Sequence, residues 1–173
     1  MTGVQTCALP ISKKLSKTFT LQTNCGDIVI SLFGSKAPAT NTVLTTLAKA
    51  GFYDNSVCHR LTTSGLYVLQ CGDPLGTGVG GPKFRFKDEN LPKPGANNYP
   101  AGTVAMANNG PNSNGSQFFL VYANTSLGPN YTIWGKITKG LDIVQYIASK
   151  GVVKGGTDGT PAQKISINSV KVA

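Results

Sequence analysis

Acids, histidine and arginine are all scarce in this chain. Its 173 residues hold seven Asp and Glu and a single histidine, His59. One histidine cannot supply a Cys2His2 zinc set, and the four cysteines (7, 25, 58 and 71) contain no C-x-x-C pair. Zinc and dithiol redox readings therefore fail. A Ser-His-Asp relay would have to use His59, which stands mid-strand beside Arg60 and reads as a structural histidine. No P-loop, G-x-S-x-G or H-E-x-x-H is present. No apolar run reaches the ~18 residues of a membrane-spanning helix, so no span is expected in this chain. Arg60 and Arg85 are the only arginines, against 14 lysines, and the net charge is +9. Nucleic-acid binders concentrate charge on one face and favour Arg for its fork, whereas these lysines are spread from Lys13 to Lys171. The expectation is a soluble basic surface with no specific nucleic-acid partner.

What the chain has in excess is turn chemistry. Its 21 glycines and ten prolines exceed the usual ~12% share without reaching the ~25–30% of low-complexity chains. A chain of this length makes one domain that buries roughly 70% of its unfolded surface. Thr18–Thr23 alternates with period 2, Asn24 to Asp27 is turn chemistry, and Ile28–Phe33 makes the return strand of a hairpin. Pro38 opens a helix with Val43, Leu44, Leu47 and Ala48 on one face, closed by Gly51. Short strands are expected at Val57–Leu61, Tyr67–Gln70, Gly102–Ala107, Gln117–Tyr122, Tyr131–Ile137 and Lys164–Lys171. A second helix covers Leu141–Lys150. About eight short strands with two well-separated helices predict a mainly β fold, a closed antiparallel barrel capped by the helices.

The opening string MTGVQTCALPIS shows neither alternation nor helical period and resembles a translated sequencing adapter. Residues 1–16 are expected to stand outside the folded domain, which runs from 17 to 173, and to offer no apolar face for docking. The compartment, and whether a signal or anchor preceded residue 17, stay open. Among Cys25, Cys58 and Cys71, one disulfide with one free thiol and three free thiols are both compatible with the spacing.

Gly76-x-Gly78-x-x-Gly81 matches a dinucleotide fingerprint only in letters. That motif needs its third glycine to open a helix whose N-terminus holds the pyrophosphate. Pro82, Pro92 and Pro94 forbid one here, and a flexible loop is expected. The stretch Asn108–Tyr122 is more informative. Its amide-rich start and aromatic end suit a surface that binds polypeptide backbone together with an apolar ring.

The run Met106-Ala107-Asn108-Asn109-Gly110-Pro111-Asn112-Ser113-Asn114-Gly115-Ser116-Gln117-Phe118-Phe119 resembles the signature of the cyclophilin-type peptidyl-prolyl cis–trans isomerases. So do Phe52-Tyr53-Asp54, Cys58-His59-Arg60, Gln70-Cys71-Gly72-Asp73, Asp88-Glu89-Asn90 and Trp134-Gly135-Lys136, in order along the chain. The Cys58–Gly65 stretch resembles bacterial, particularly actinobacterial, members. The resemblance implies an eight-stranded closed antiparallel barrel with two capping helices and an enzyme that accelerates X–Pro rotation and assists folding. It implies Arg60 as the catalytic donor, with Gln70, Asn108 and Phe119 beside it. Tyr67 and Val68 would floor a proline pocket continued by Phe119 and Leu127. Ala107, Asn109 and Gln117 would contact the peptide, and Tyr131 would stand at the rim. Gln70 and Gln117 would hydrogen-bond the peptide backbone, and the main chain of Asn108 would pair with the residue before proline. Cofactor and metal are not required, the partners are proline-containing polypeptides, and a monomer is expected. Three departures bear on preference. Two extra residues lie between Arg60 and Gln70, Asn109 replaces a common Ala, and Leu127 replaces a Trp that contacts cyclosporin, so cyclosporin binding would be weakened. A binding-only module and a non-enzymatic basic barrel are the alternative readings.

Overall fold

Asn24 and Cys25 make the two-residue turn that folds β1 (Thr18–Thr23) onto β2 (Gly26–Leu32), with Thr23 opposite Gly26. This hairpin belongs to a sheet seen in a computed structural model that describes residues 10–173. Helix α1 (Pro38–Lys49) follows. Next come β3 (Ser56–Val57), β4 (Arg60–Thr62), β5 (Val68–Cys71), β6 (Thr103–Met106), β7 (Phe118–Val121) and β8 (Ile133–Lys139). Helix α2 (Leu141–Ser149), β9 (Asp158–Gly159) and β10 (Ser166–Val172) complete the chain. All ten strands lie in one curled antiparallel sheet, in the order β3-β10-β1-β2-β8-β6-β7-β5-β4-β9.

Period-2 alternation sorts the side chains of this sheet onto two faces. Phe19, Leu21, Ile28, Ile30, Leu69, Val104, Met106, Phe118, Leu120 and Trp134 point into the main core, with Val43 and Leu44 of α1 and Val144 and Ile147 of α2. Their neighbours in sequence on three adjacent strands, Val68 on β5, Ala105 on β6, and Phe119 and Val121 on β7, form a second, smaller cluster on the other face. That outer cluster is the foundation of the candidate site.

Two features depart from the expected strands. The stretch Val57–Leu61 is not one ladder, because β3 pairs with β10 while β4 pairs with β5. Between them the N–H of Cys58 donates to the Ile165 carbonyl and that of His59 to the Gln70 carbonyl. Strand β9 was not foreseen, since Gly155–Thr160 has no alternation, yet it adds to β4 with Asp158 opposite Thr62. A disulfide joins Cys58 to Cys71, and Cys25 in the hairpin turn is free among the described residues. Helix α1 has no side-chain cap of its own. The Glu89 carboxylate reaches in from a distant loop to accept from the N–H groups of Ala39 (3.1 Å) and Thr40 (2.9 Å) and from the Thr40 hydroxyl (2.8 Å). A negative charge there also complements the helix dipole.

Residues 1–9 lie outside the described residues. Part of the 1–16 segment does touch the domain. The Ser12 N–H donates to Thr42 Oγ1 (3.1 Å), and Asn41 Nδ2 donates to the Ser16 carbonyl (2.9 Å). Leu15 lies so close to Gly34 that a Cβ there would approach it to 3.2 Å.

Candidate active site

A cavity of about 510 Å³ opens on the outer face. Its apolar wall is Leu66, Val68, Phe119, Leu127 and Tyr131, and its polar side is Arg60, Gln70, Asn108, Asn109 and Asp158. A smaller cavity of about 170 Å³ adjoins it and shares Gln70, Gly78, Ala107, Asn108 and Asn109. The Phe119 ring stands edge-on to Tyr131, with centroids 5.6 Å apart. Two residues from the loop before β6 hold the far wall. Asn98 exchanges hydrogen bonds with the backbone of Leu127 (2.7 and 2.9 Å), and the buried Tyr99 hydroxyl accepts from the Tyr131 N–H (3.1 Å). Burial pushes the Tyr99 phenol up to about 12, so it stays protonated. Sequence reasoning missed both of these supports.

Arg60 sits at the centre of a chain of side-chain hydrogen bonds. Its Nη1 donates to Gln70 Oε1 (3.2 Å), and Gln70 Nε2 donates to Gln117 Oε1 (2.9 Å). Gln117 Nε2 donates to the carbonyls of Gly78 (3.0 Å) and Gly80 (2.9 Å). On its other side Arg60 makes a fork to Asp158, Nε to Oδ1 and Nη2 to Oδ2, both at 2.8 Å. That carboxylate hydrogen bond holds the guanidinium pKa above its ordinary value, and the Arg60 hydrogen bond holds the Asp158 carboxyl below its own. One N–H on Nη1 and one on Nη2 have no partner among the described residues. Nor do the backbone N–H and C=O of Asn108 enter any hydrogen bond there.

The loop that carries Gly78 and Gly80 is wound around Asp73. The buried Asp73 carboxylate accepts from the N–H groups of Leu75 (2.8 Å), Thr77 (2.8 Å), Gly78 (2.7 Å) and Gly80 (3.0 Å), and from the Thr77 hydroxyl (2.9 Å). Position 80 requires glycine, because a Cβ there would run into the Asp73 carboxylate. The dinucleotide-like spacing is thus a carboxylate wrap, and the nucleotide reading fails on structure as on sequence. His59 borders the cavity beside Gly78 with both ring nitrogens buried and unpartnered. Burial lowers its pKa, the Asp73 charge opposes that and the Arg60 charge adds to it, so the ring is neutral at pH 7.

Of the expected residues, Arg60, Gln70, Val68, Ala107, Asn108, Asn109, Phe119, Leu127 and Tyr131 all line the larger cavity. Tyr67 does not. Counting back in twos from Gln70 puts Val68 and Leu66 on the outer face and Tyr67 on the inner one, where its ring meets Tyr122 (6.0 Å). Leu66 takes the place expected of Tyr67. Gln117 lines only the smaller cavity, and both hydrogens of its amide are held by loop carbonyls, so it is a strut of the network and not a free donor. Leu127 is a half-buried part of the wall and not an outer rim residue. Asp158 belongs to the site although no sequence motif marked it.

Comparison with known proteins agrees with this architecture. The sequence model described as "Cyclophilin type peptidyl-prolyl cis-trans isomerase/CLD" matches residues 18–172. A protein named probable peptidyl-prolyl cis-trans isomerase B from Mycobacterium tuberculosis is 46% identical over 159 residues, covering 86% of this chain and 52% of its own. Its namesake from Mycobacterium leprae is 45% identical over 165 residues, covering 88% of this chain and 55% of its own. The chain thus spans about half the length of these curated relatives. A crystal structure of a Cryptosporidium parvum cyclophilin-type isomerase superposes with a TM-score of 0.79 at 30% identity, covering 91% of this chain and 98% of that one. The same protein in the presence of the dipeptide Ala-Pro gives 0.77, at 90% and 98% coverage. With a family match over nearly all of the described sheet and the Arg60–Gln70–Phe119 surface in place, the chain belongs to the cyclophilin-type peptidyl-prolyl cis–trans isomerase family.

Proposed function

We propose that this chain is a peptidyl-prolyl cis–trans isomerase acting on proline-containing polypeptides, and that it assists their folding. The observation that carries the reading is the pairing of an apolar cavity wall, Leu66, Val68, Phe119, Leu127 and Tyr131, with an arginine that keeps two N–H groups free beside it. Rotation about X–Pro meets a barrier of ~18–20 kcal/mol and takes tens to hundreds of seconds unaided. In the twisted transition state amide resonance is lost and the prolyl nitrogen regains its lone pair. A fixed cation aimed at that nitrogen binds the twisted form more strongly than the planar one, which is the condition for catalysis. No covalent bond breaks, so the chemistry asks for neither nucleophile, metal nor cofactor. A ~10⁵-fold acceleration needs only ~7 kcal/mol of differential stabilisation.

In this reading Val68, Leu66, Phe119, Leu127 and Tyr131 take the proline ring, and the free backbone edge of Asn108 pairs with the residue before it. Gln70 keeps one amide N–H for the peptide, while Ala107 and Asn109 shape the passage to the smaller cavity. The protein acts as a monomer, and cyclosporin binds weakly because Leu127 offers neither the broad ring nor the N–H of an indole. The sheet is read as an eight-stranded barrel in which β3 and β4 are one bent strand joining β10 to β5, with β9 laid outside. A protease-coupled isomerisation assay on an X-Pro-Phe peptide tests the function. Arg60→Ala is expected to cut kcat/KM at least ~100-fold, about 2.7 kcal/mol of transition-state stabilisation. A folded Arg60→Ala protein with full activity would sink the mechanism, and an inactive parent protein the function.

A further inference from the structure

The fork between Arg60 and Asp158 is made by a residue 98 positions away in sequence, on the two-residue strand β9. Strand β9 contributes no large apolar side chain to the core. What it does is hold Asp158 opposite Thr62 and Gly159 opposite Leu61, with the Thr63 N–H donating to the Thr157 carbonyl at 2.8 Å. Arg60 and Thr62 share a face of β4, so Asp158 is the diagonal neighbour of Arg60 across the ladder, within reach of a long side chain. The carboxylate takes the Nε–H and one Nη2 hydrogen, and Gln70 takes one Nη1 hydrogen. The two hydrogens left over lie on the two terminal nitrogens, the end of the fork farthest from the aliphatic stem.

The choice of partner is selective. The described residues contain every Lys, Arg, Asp and Glu of the chain, and among them Arg60–Asp158 is the single ion pair within 4.0 Å. None of the 14 lysines has a carboxylate in that range. The pair is partly open to solvent, with 40% and 53% of the two side chains exposed, and such pairs add little to stability. A bidentate fork does fix the plane and direction of a guanidinium. An arginine freed of its anchor must be ordered afresh at each turnover, at a cost on the order of a tenfold rate.

We infer that Asp158 is a positioning residue for the isomerisation, clamping the Arg60 guanidinium so that its two unpaired N–H groups face the bound X–Pro bond. The inference rests on the function proposed above. Asp158 also lines the cavity, but each of its carboxylate oxygens is engaged by Arg60, so its loss is expected to act on kcat far more than on KM.

The test uses the whole chain. Asp158→Ala is expected to lower kcat about tenfold, with KM within twofold and the melting temperature within about 3 °C of the parent. Asp158→Asn should do the same, because its amide nitrogen meets a guanidinium donor; it serves also if the alanine variant folds poorly. The discriminating measurement is the effect of Asp158→Ala on an Arg60→Ala background, where no further loss is expected because the clamp has nothing to hold. The Arg60 Nε–H resonance should be sharp and slow to exchange in the parent and broadened in both Asp158 variants. Full activity in the variants, an equal loss on the Arg60→Ala background, or an unchanged Nε–H signal would each overturn the clamp. Because the resonance is read without turnover, a parent protein with no isomerase activity would refute the function and still leave the clamp measurable.

Discussion

Replacing Asp73 by asparagine changes one oxygen to an NH2 group and almost no volume, yet it should disturb both stability and site. Burial by itself would push this carboxyl up. Hydrogen bonds from the Leu75 N–H, the Thr77 hydroxyl and the Gly80 and Gly78 N–H groups outweigh it and bring the pKa to about 2, against an ordinary 3.8. That difference is worth about 2 kcal/mol to the folded state. The folded pKa lies below the unfolded one, so this stability is present in full above pH ~4 and is lost as the pH falls towards 2. Asparagine must also turn an amide N–H towards backbone donors, and a buried donor without an acceptor costs ~1–3 kcal/mol. The sum for Asp73→Asn is about 3–5 kcal/mol at pH 7, a melting temperature lower by about 6–20 °C. Thermal unfolding of both proteins from pH 7 to pH 2.5 checks it, and the gap should shrink by roughly a third to a half at the acid end. Activity should fall several-fold as well, because the carbonyls of Gly78 and Gly80 brace Gln117 and, through it, Gln70 and Arg60. A gap that is the same at pH 3 as at pH 7, or a melting loss under 2 °C, would refute the reasoning.

The Cys58–Cys71 disulfide closes a loop of sequence separation 13 around β4 and β5. Its removal in a Cys58→Ala/Cys71→Ala protein should cost about 3 kcal/mol, read as a melting point roughly 6–12 °C lower. Dithiothreitol should move the parent in the same direction and leave the double variant where it is. Leu127→Trp should raise KM for a short X-Pro peptide at least fivefold, because overfilling the wall against Val68, Phe119 and Tyr131 costs ~1–3 kcal/mol. Progress curves at varied peptide concentration decide this, and an unchanged KM would place Leu127 beyond the reach of the peptide.

Local chemistry determined much of this protein. The Asn24–Cys25 turn between two alternating runs, the Pro38 and Gly51 boundaries of α1 and the apolar stripe of α2 are all local signals, and all appear in the structure. Arg60, Gln70, Asn108 and Phe119 were readable because they lie in short, dense motifs. The parity that separates Leu66 and Val68 from Tyr67 was also present, two residues at a time back from Gln70, though the resemblance to related proteins pointed to Tyr67 instead. Tertiary structure alone decided the rest. Which cysteines pair depends on how β4 registers with β5. Asn98 and Tyr99 hold Leu127 and Tyr131 only because two loops about 30 residues apart meet. Asp158 lies in a glycine-rich stretch whose composition announces a loop and nothing more. Its meeting with Arg60 follows from the partner that β4 selects on its free edge, and no spacing within one segment encodes a choice between strands so far apart.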